Sequence, residues 1–139
     1  MTSALARFLS SAALGGLRVG ISCSEIVGQM GPAFARSVAD EGTEIWKYGP
    51  LQLTIKNGKL GALGLDCLER SPLPTPLQEV EMLPPETTLY TFIDMLDEHG
   101  IDWEIDPTYS FGRQLCMRTE GGVRTYFDLD HRELQSMEV

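Results

Sequence analysis

The segment Leu51-Gln-Leu-Thr-Ile-Lys-Asn-Gly-Lys-Leu60 leaves this chain little conformational choice. Leu51, Leu53 and Ile55 alternate with Gln52, Thr54 and Lys56, the period-two pattern of a strand with one buried side. Asn57-Gly58 then supplies two residues that tolerate positive φ, as a two-residue hairpin turn requires. A return strand from Lys59 to about Cys67 must therefore lie antiparallel beside the first. One hairpin with one apolar face is not stable alone, so the chain must build a wider sheet with a layer to cover it.

The same pattern recurs on both sides of a proline-rich stretch, SPLPTPLQEVEMLPP (71–85). Pro72, Pro74, Pro76, Pro84 and Pro85 deny it helix and central strand, so it reads as an extended connector. Before it, a helix at 23–30 leads through a polar loop with Asp40, Glu41 and Gly42 into Ile45-Trp-Lys-Tyr48, a Gly49-Pro50 turn and the hairpin. After it, Leu89, Phe92, Ile93 and Leu96 fall on one helical face, with Gly100 as the stop. Alternating runs follow at Ile101–Ile105, Gln114–Arg118 and Val123–Leu129, and a last short strand at about 133–138.

The expected fold is thus α+β. Two helix-plus-antiparallel-meander subrepeats, about 1–70 and 86–139, place helices on one face of an antiparallel sheet of six or seven strands. At 139 residues and 42% hydrophobic content the chain suits one domain with a core of its own. Whether both halves share one sheet is left open by the pattern.

Charge narrows the partners. Eleven Lys and Arg against twenty Asp and Glu give a net charge of −9, which repels phosphate backbones and attracts basic proteins. Cys23, Cys67 and Cys116 are dispersed and odd in number, which suits a reducing compartment rather than a disulfide framework. In MTSALARFLSSAALGGLRVGI, Ser10, Ser11 and Gly15-Gly16 interrupt the apolar run, and Leu5, Phe8, Leu9 and Ala12 recur at helical spacing. An amphipathic helix over 3–14, ended by Gly15-Gly16, is expected rather than a signal peptide or membrane span, hence a cytoplasmic protein.

The stretch GISCSEIVGQMGP (20–32) has the look of a catalytic motif. Ser22 as nucleophile would need a glycine where Ser24 stands, and a base; His99 and His131 both lie in the other half. A phosphate cradle would need a lysine, and Glu25 would repel the anion. Helix capping accounts for every position. Ser22 is the N-cap, Glu25 three residues on completes a capping box, and Ile21 and Ile26 form a hydrophobic staple. Gly31 takes a left-handed stop before Pro32.

Gly20, Ser22, Glu25, Ile26, Met30, Gly31 and Pro32, followed by Trp46 and Tyr48 and by the hairpin residues Asn57, Gly58 and Leu60, resemble the BamE/SmpA-like lipoprotein domain over about residues 17–67. That fold is related to the beta-lactamase inhibitor protein, a tandem repeat of such a unit. The WKYG strand and hairpin also look like small bacterial immunity-type proteins of polymorphic toxin systems. The resemblance implies a tandem α+β binding protein. It departs from BamE in having no lipoprotein signal.

No catalytic set, cofactor or metal site is expected. Asp94, Asp97, Glu98 and His99 read as a solvated helix face with a cation at its C-terminus, and Asp128, Asp130 and His131 as turn chemistry. Trp103 shares a strand face with Ile101 and Ile105 and is expected in the core. The partner-binding candidates are Glu44, Trp46, Tyr48, Glu104, Asp106, Tyr109 and Phe111, aromatics ringed by acids. The expectation is a non-enzymatic protein-binding module, an immunity or inhibitor protein against a basic toxin domain. A small-ligand sensor or regulatory domain and a BamE-like assembly protein are the alternatives.

Overall fold

A computed structural model describes all residues, Met1–Val139. Three helices, α1 (Ser3–Ser11), α2 (Cys23–Met30) and α3 (Leu89–Glu98), accompany eight strands. The strands are β1 (Ala35–Asp40), β2 (Thr43–Tyr48), β3 (Leu51–Lys56), β4 (Lys59–Asp66), β5 (Trp103–Ile105), β6 (Gln114–Thr119), β7 (Arg124–Asp128) and β8 (Glu133–Glu138). All eight form one antiparallel sheet in the order β1-β2-β3-β4-β8-β7-β6-β5. The fold is α+β. No helix is long and apolar enough to cross a membrane.

The two meanders meet at β4 and β8, where Gly64, Leu65 and Asp66 pair with Glu138, Met137 and Ser136. One side of the strands is apolar and buried: Trp46 and Tyr48, Leu51, Leu53 and Ile55, Leu60, Leu63 and Leu65, then Met137, Phe127 and Met117. These belong to a single apolar cluster with Leu5, Phe8 and Leu9 of α1, Ile26 and Met30 of α2, and Phe92 and Leu96 of α3. The alternating residues make up the outward face. At roughly 1.5–3 kcal/mol per buried large aliphatic or aromatic side chain, this cluster is the main stabilising term.

Four expectations are corrected. The polar loop before β2 is instead an edge strand, β1, every residue of which is exposed. With neither face buried it carries no hydrophobic alternation to read. The sheet has eight strands rather than six or seven because β1 joins it. The first helix is shorter than 3–14: Ala12, at φ 63, ends it, and Gly15-Gly16 forms the turn of a small Leu14–Leu17 bridge. The connector 71–85 is more than an extended link. It makes a 3-10 turn at Thr75–Leu77 and buries Leu73, Leu77, Val80 and Leu83.

The N-terminal helix reaches into the second half. The Leu9 carbonyl, freed by the early stop at Ala12, accepts from the Thr119 hydroxyl and from the Gly121 amide at 3.2 Å. A Cβ on Gly121 would sit 2.7 Å from that backbone, so only glycine fits this crossing.

Candidate protein-binding surface

The loop between β5 and β6 is built to stay on the outward face. Asp106 caps a 3-10 turn, Pro107–Tyr109, by accepting from the Thr108 amide at 3.1 Å. Ser110 then fastens the loop to β6. Its hydroxyl accepts from the Cys116 amide at 2.9 Å and donates to the Asp106 carbonyl at 2.7 Å. Held there, the Tyr109 ring covers the Arg124 guanidinium, 4.4 Å from its centroid. Phe111 has no such cover and is 66% exposed. It flanks a turn at Gly112-Arg113, where Leu129 donates its amide to the Arg113 carbonyl at 2.8 Å. Arg113 pairs with Asp130 at 2.7 Å.

Beneath the loop, the charges on this half of the outward face are matched. Glu104 pairs with Arg118 at 2.7 Å, and Arg124 lies 3.6 Å from Glu138. The Tyr126 hydroxyl donates to Glu138 at 2.6 Å, and burial together with that carboxylate raises its pKa. The Arg124 Nε is buried without a hydrogen-bond partner, so the guanidinium depends on the Tyr109 face and Glu138 for its stabilisation.

The candidate residues fall into two groups. Glu104, Asp106, Tyr109 and Phe111 come together around β5 and its loop. Glu44, Trp46 and Tyr48 lie far across the sheet on β2, on the side that faces the core. Trp46 is 3% exposed and Tyr48 is fully buried, with its hydroxyl donating to the Gly31 carbonyl at 2.8 Å. Both are core residues and offer a partner no surface. Glu44 stays at the rim, paired with Arg36 at 2.9 Å, and Arg36 in turn lies over the Trp46 ring. Trp103 is half-buried against the core, with its indole N–H on Asp97 at 3.2 Å. Arg113 and Leu129 also belong to the exposed group. Arg113 stands in a turn, where period-two reasoning has no purchase, whereas Leu129, expected as the last apolar residue of an alternating strand, lies one residue past β7 and is exposed.

The capping residues are in place with two differences. The Ser22 hydroxyl accepts from the Glu25 amide at 3.2 Å, but the Glu25 carboxylate returns to that hydroxyl, at 3.3 Å, rather than to the Ser22 amide. Gly31 has positive φ, 74°, but its ψ of −172° is extended rather than left-handed helical.

The chemistry of the titratable groups is plain. Burial pushes the Cys67 thiol up to about 12 and raises Cys116, which disfavours the thiolate in both. His99 closes α3 with its Nδ1 at 2.9 Å from the Met95 carbonyl. His131 contacts Asp128 within its turn at 2.5 Å. No three His, Cys, Asp or Glu side chains converge as metal ligands. No protein-family model, curated protein or solved structure matches this chain at a significant level.

Proposed function

We propose that this chain is a non-enzymatic protein-binding module of the immunity or inhibitor type, which neutralises a basic toxin domain in the cytoplasm. The observation that carries the reading is the loop at 106–113. It is fastened by Ser110 and Cys116, presents Phe111 to solvent next to the Arg113–Asp130 pair, and lays Tyr109 over Arg124 among the matched charges of Glu104, Arg118, Arg124 and Glu138. A fixed aromatic with a polar surround is the arrangement of an interface anchor. The net charge of −9 would speed encounter with a basic partner.

The strand order supports the tandem reading of the fold. Two four-stranded meanders that meet through their last strands, β4 and β8, give the order expected of two like units about a two-fold axis. Helices from both units share one apolar cluster with one side of that sheet, as the inhibitor-like plan requires. The histidines are engaged in a cap and a turn, and two of the three thiols have raised pKa values, which favours binding over catalysis.

The test is affinity capture from the source organism with the wild-type chain and with Phe111→Ala and Tyr109→Ala. The expected result is one basic protein, released by salt and lost with Phe111→Ala. Recovery of no protein, together with a small molecule that raises the melting temperature, would replace this reading with that of a ligand sensor.

A further inference from the structure

The outward face of β2–β4, at the other end of the sheet from Phe111, has a charge pattern of its own. All three lysines of the chain, Lys47, Lys56 and Lys59, lie there. Lys56 and Lys59 are direct cross-strand partners across the Asn57-Gly58 turn. Like charges in that position destabilise a sheet. The stem of Lys56 runs over Gly61, where an added Cβ would be 3.3 Å from its Cγ and Cδ.

The contrast with the other half is direct. One cross-strand row spans the whole sheet: Glu104, Arg118, Arg124, Glu138, Gly64, Gln52, Lys47 and Ala35. In the β5–β8 half each arginine of the row has a glutamate beside it. In the β1–β4 half no lysine is in an ion pair; the five pairs of the molecule use arginine or histidine. Glu69, held low chiefly by hydrogen bonds from Ser71, feels Lys47 last and least. Asp66 is engaged with the Leu68 amide at 2.9 Å, and Asp40 lies two strands from Lys56 in the same cross-strand row, with Thr43 between them and no ion pair formed. Between the lysines lie Ile45, Thr54 and Ala62, half-buried cross-strand neighbours that form a low, partly apolar strip.

We infer that this face is a second docking surface, one that receives an acidic polypeptide segment from another protein. The three unmatched ammonium groups fit carboxylates, and the Ile45–Thr54–Ala62 strip gives the segment's aliphatic stems a surface to lie on. A polypeptide suits it better than a nucleic acid. A short acidic segment meets the lysine face alone, whereas a phosphate backbone extends into the field of a molecule that carries −9. The surface is separate from the Phe111 loop and stands whether or not that loop binds a toxin.

The experiment is fluorescence anisotropy with a short labelled peptide of alternating Glu and Thr, at low ionic strength. Binding is expected to weaken about tenfold as salt rises from about 0.02 to about 0.15 M. Lys59→Glu and Lys56→Glu should each remove most of the binding, and Phe111→Ala none of it. Lys59→Glu also replaces a like-charge cross-strand pair with an opposite one, so its melting temperature should rise by about 2 °C while binding falls. That opposite movement separates lost recognition from lost fold. The inference is overturned if the peptide does not bind, if Lys59→Glu binds as well as wild type, or if a single-stranded DNA of equal charge binds as tightly. It is also overturned if the chain alone self-associates through this face, which would assign it to a second copy.

Discussion

The amide of Cys23 donates to the carbonyl of Gly58 at 3.0 Å, so the first turn of α2 is joined to the tip of the β3–β4 hairpin. The chain on either side reinforces the contact: Gly20 donates to Leu60, and Leu60 donates to Ile21, each at 2.8 Å. A capping serine and a hairpin turn more than thirty residues apart are thus one structural unit, and the cap orients the helix against the sheet.

Ser22→Ala should therefore lower stability by about 1 kcal/mol, the usual cost of an N-cap hydroxyl. Glu25→Ala should cost less, because its carboxylate meets the serine hydroxyl and frees no amide. Chemical denaturation measures both. A Ser22→Ala protein that melts normally but loses partner binding would overturn the capping role.

Two glycines should be sensitive to alanine for different reasons. Gly31, with φ 74° and ψ −172°, occupies a region that side chains avoid, though a Cβ there would meet nothing within 4 Å. Gly31→Ala should cost about 1–3 kcal/mol in backbone strain alone. Gly121→Ala would press on the α1 backbone, and a comparable loss of about 1–3 kcal/mol is expected from steric overlap. Shortening α1 by deleting its N-terminal turn should leave the Gly31→Ala penalty unchanged.

Tyr48→Phe removes a hydroxyl that satisfies the Gly31 carbonyl at 2.8 Å and leaves the ring packed. A loss of about 1 kcal/mol is expected. Partner binding should not change, since Tyr48 has no exposed surface. A binding defect in a folded Tyr48→Phe protein would contradict its assignment to the core.

The Asp128–His131 contact sets a pH window. Hydrogen bonding from His131 lowers Asp128 from 3.8, and hydrogen bonding to Asp128 raises His131 from 6.5. The depressed acid contributes stability above its unfolded pKa and loses it as pH falls through the folded value. The raised base contributes below 6.5 and loses its contribution as pH rises through the folded value. The contribution of the turn is thus complete between 3.8 and 6.5 and is lost beyond the two folded values. Nuclear magnetic resonance titration should find His131 above 6.5, and Asp128→Asn should return it toward that value.

The parts of the fold that were legible in the sequence are those governed by local rules. Alternation marked β3 and β7, Asn57-Gly58 marked the β3–β4 turn, and helical spacing marked α3. What escaped depends on partners distant in the chain. Nothing in Ala35–Asp40 announces a strand, because only the neighbouring Thr43–Tyr48 gives it hydrogen bonds. The burial of Leu73 and Leu77 among prolines depends on α2 and the sheet behind them. For the candidate surface, Tyr109 and Phe111 were placed correctly outside the core by their loop position. Trp46 and Tyr48, named as surface candidates, are core residues, because an alternating strand shows that two faces differ without showing which is covered.

The β4–β8 join carries a consequence for synthesis. Its residues are separated by about seventy positions, and β8 leaves the ribosome after every other strand. Until it does, the Lys59–Asp66 strand is a free edge inside what will become the middle of the sheet, and the half-made product can pair there with a neighbouring chain. The loop that must close before the edge is covered is long, so this step should limit the folding rate. The vulnerable moment for this protein is its birth, and a chaperone that shields one strand for that interval would serve it best.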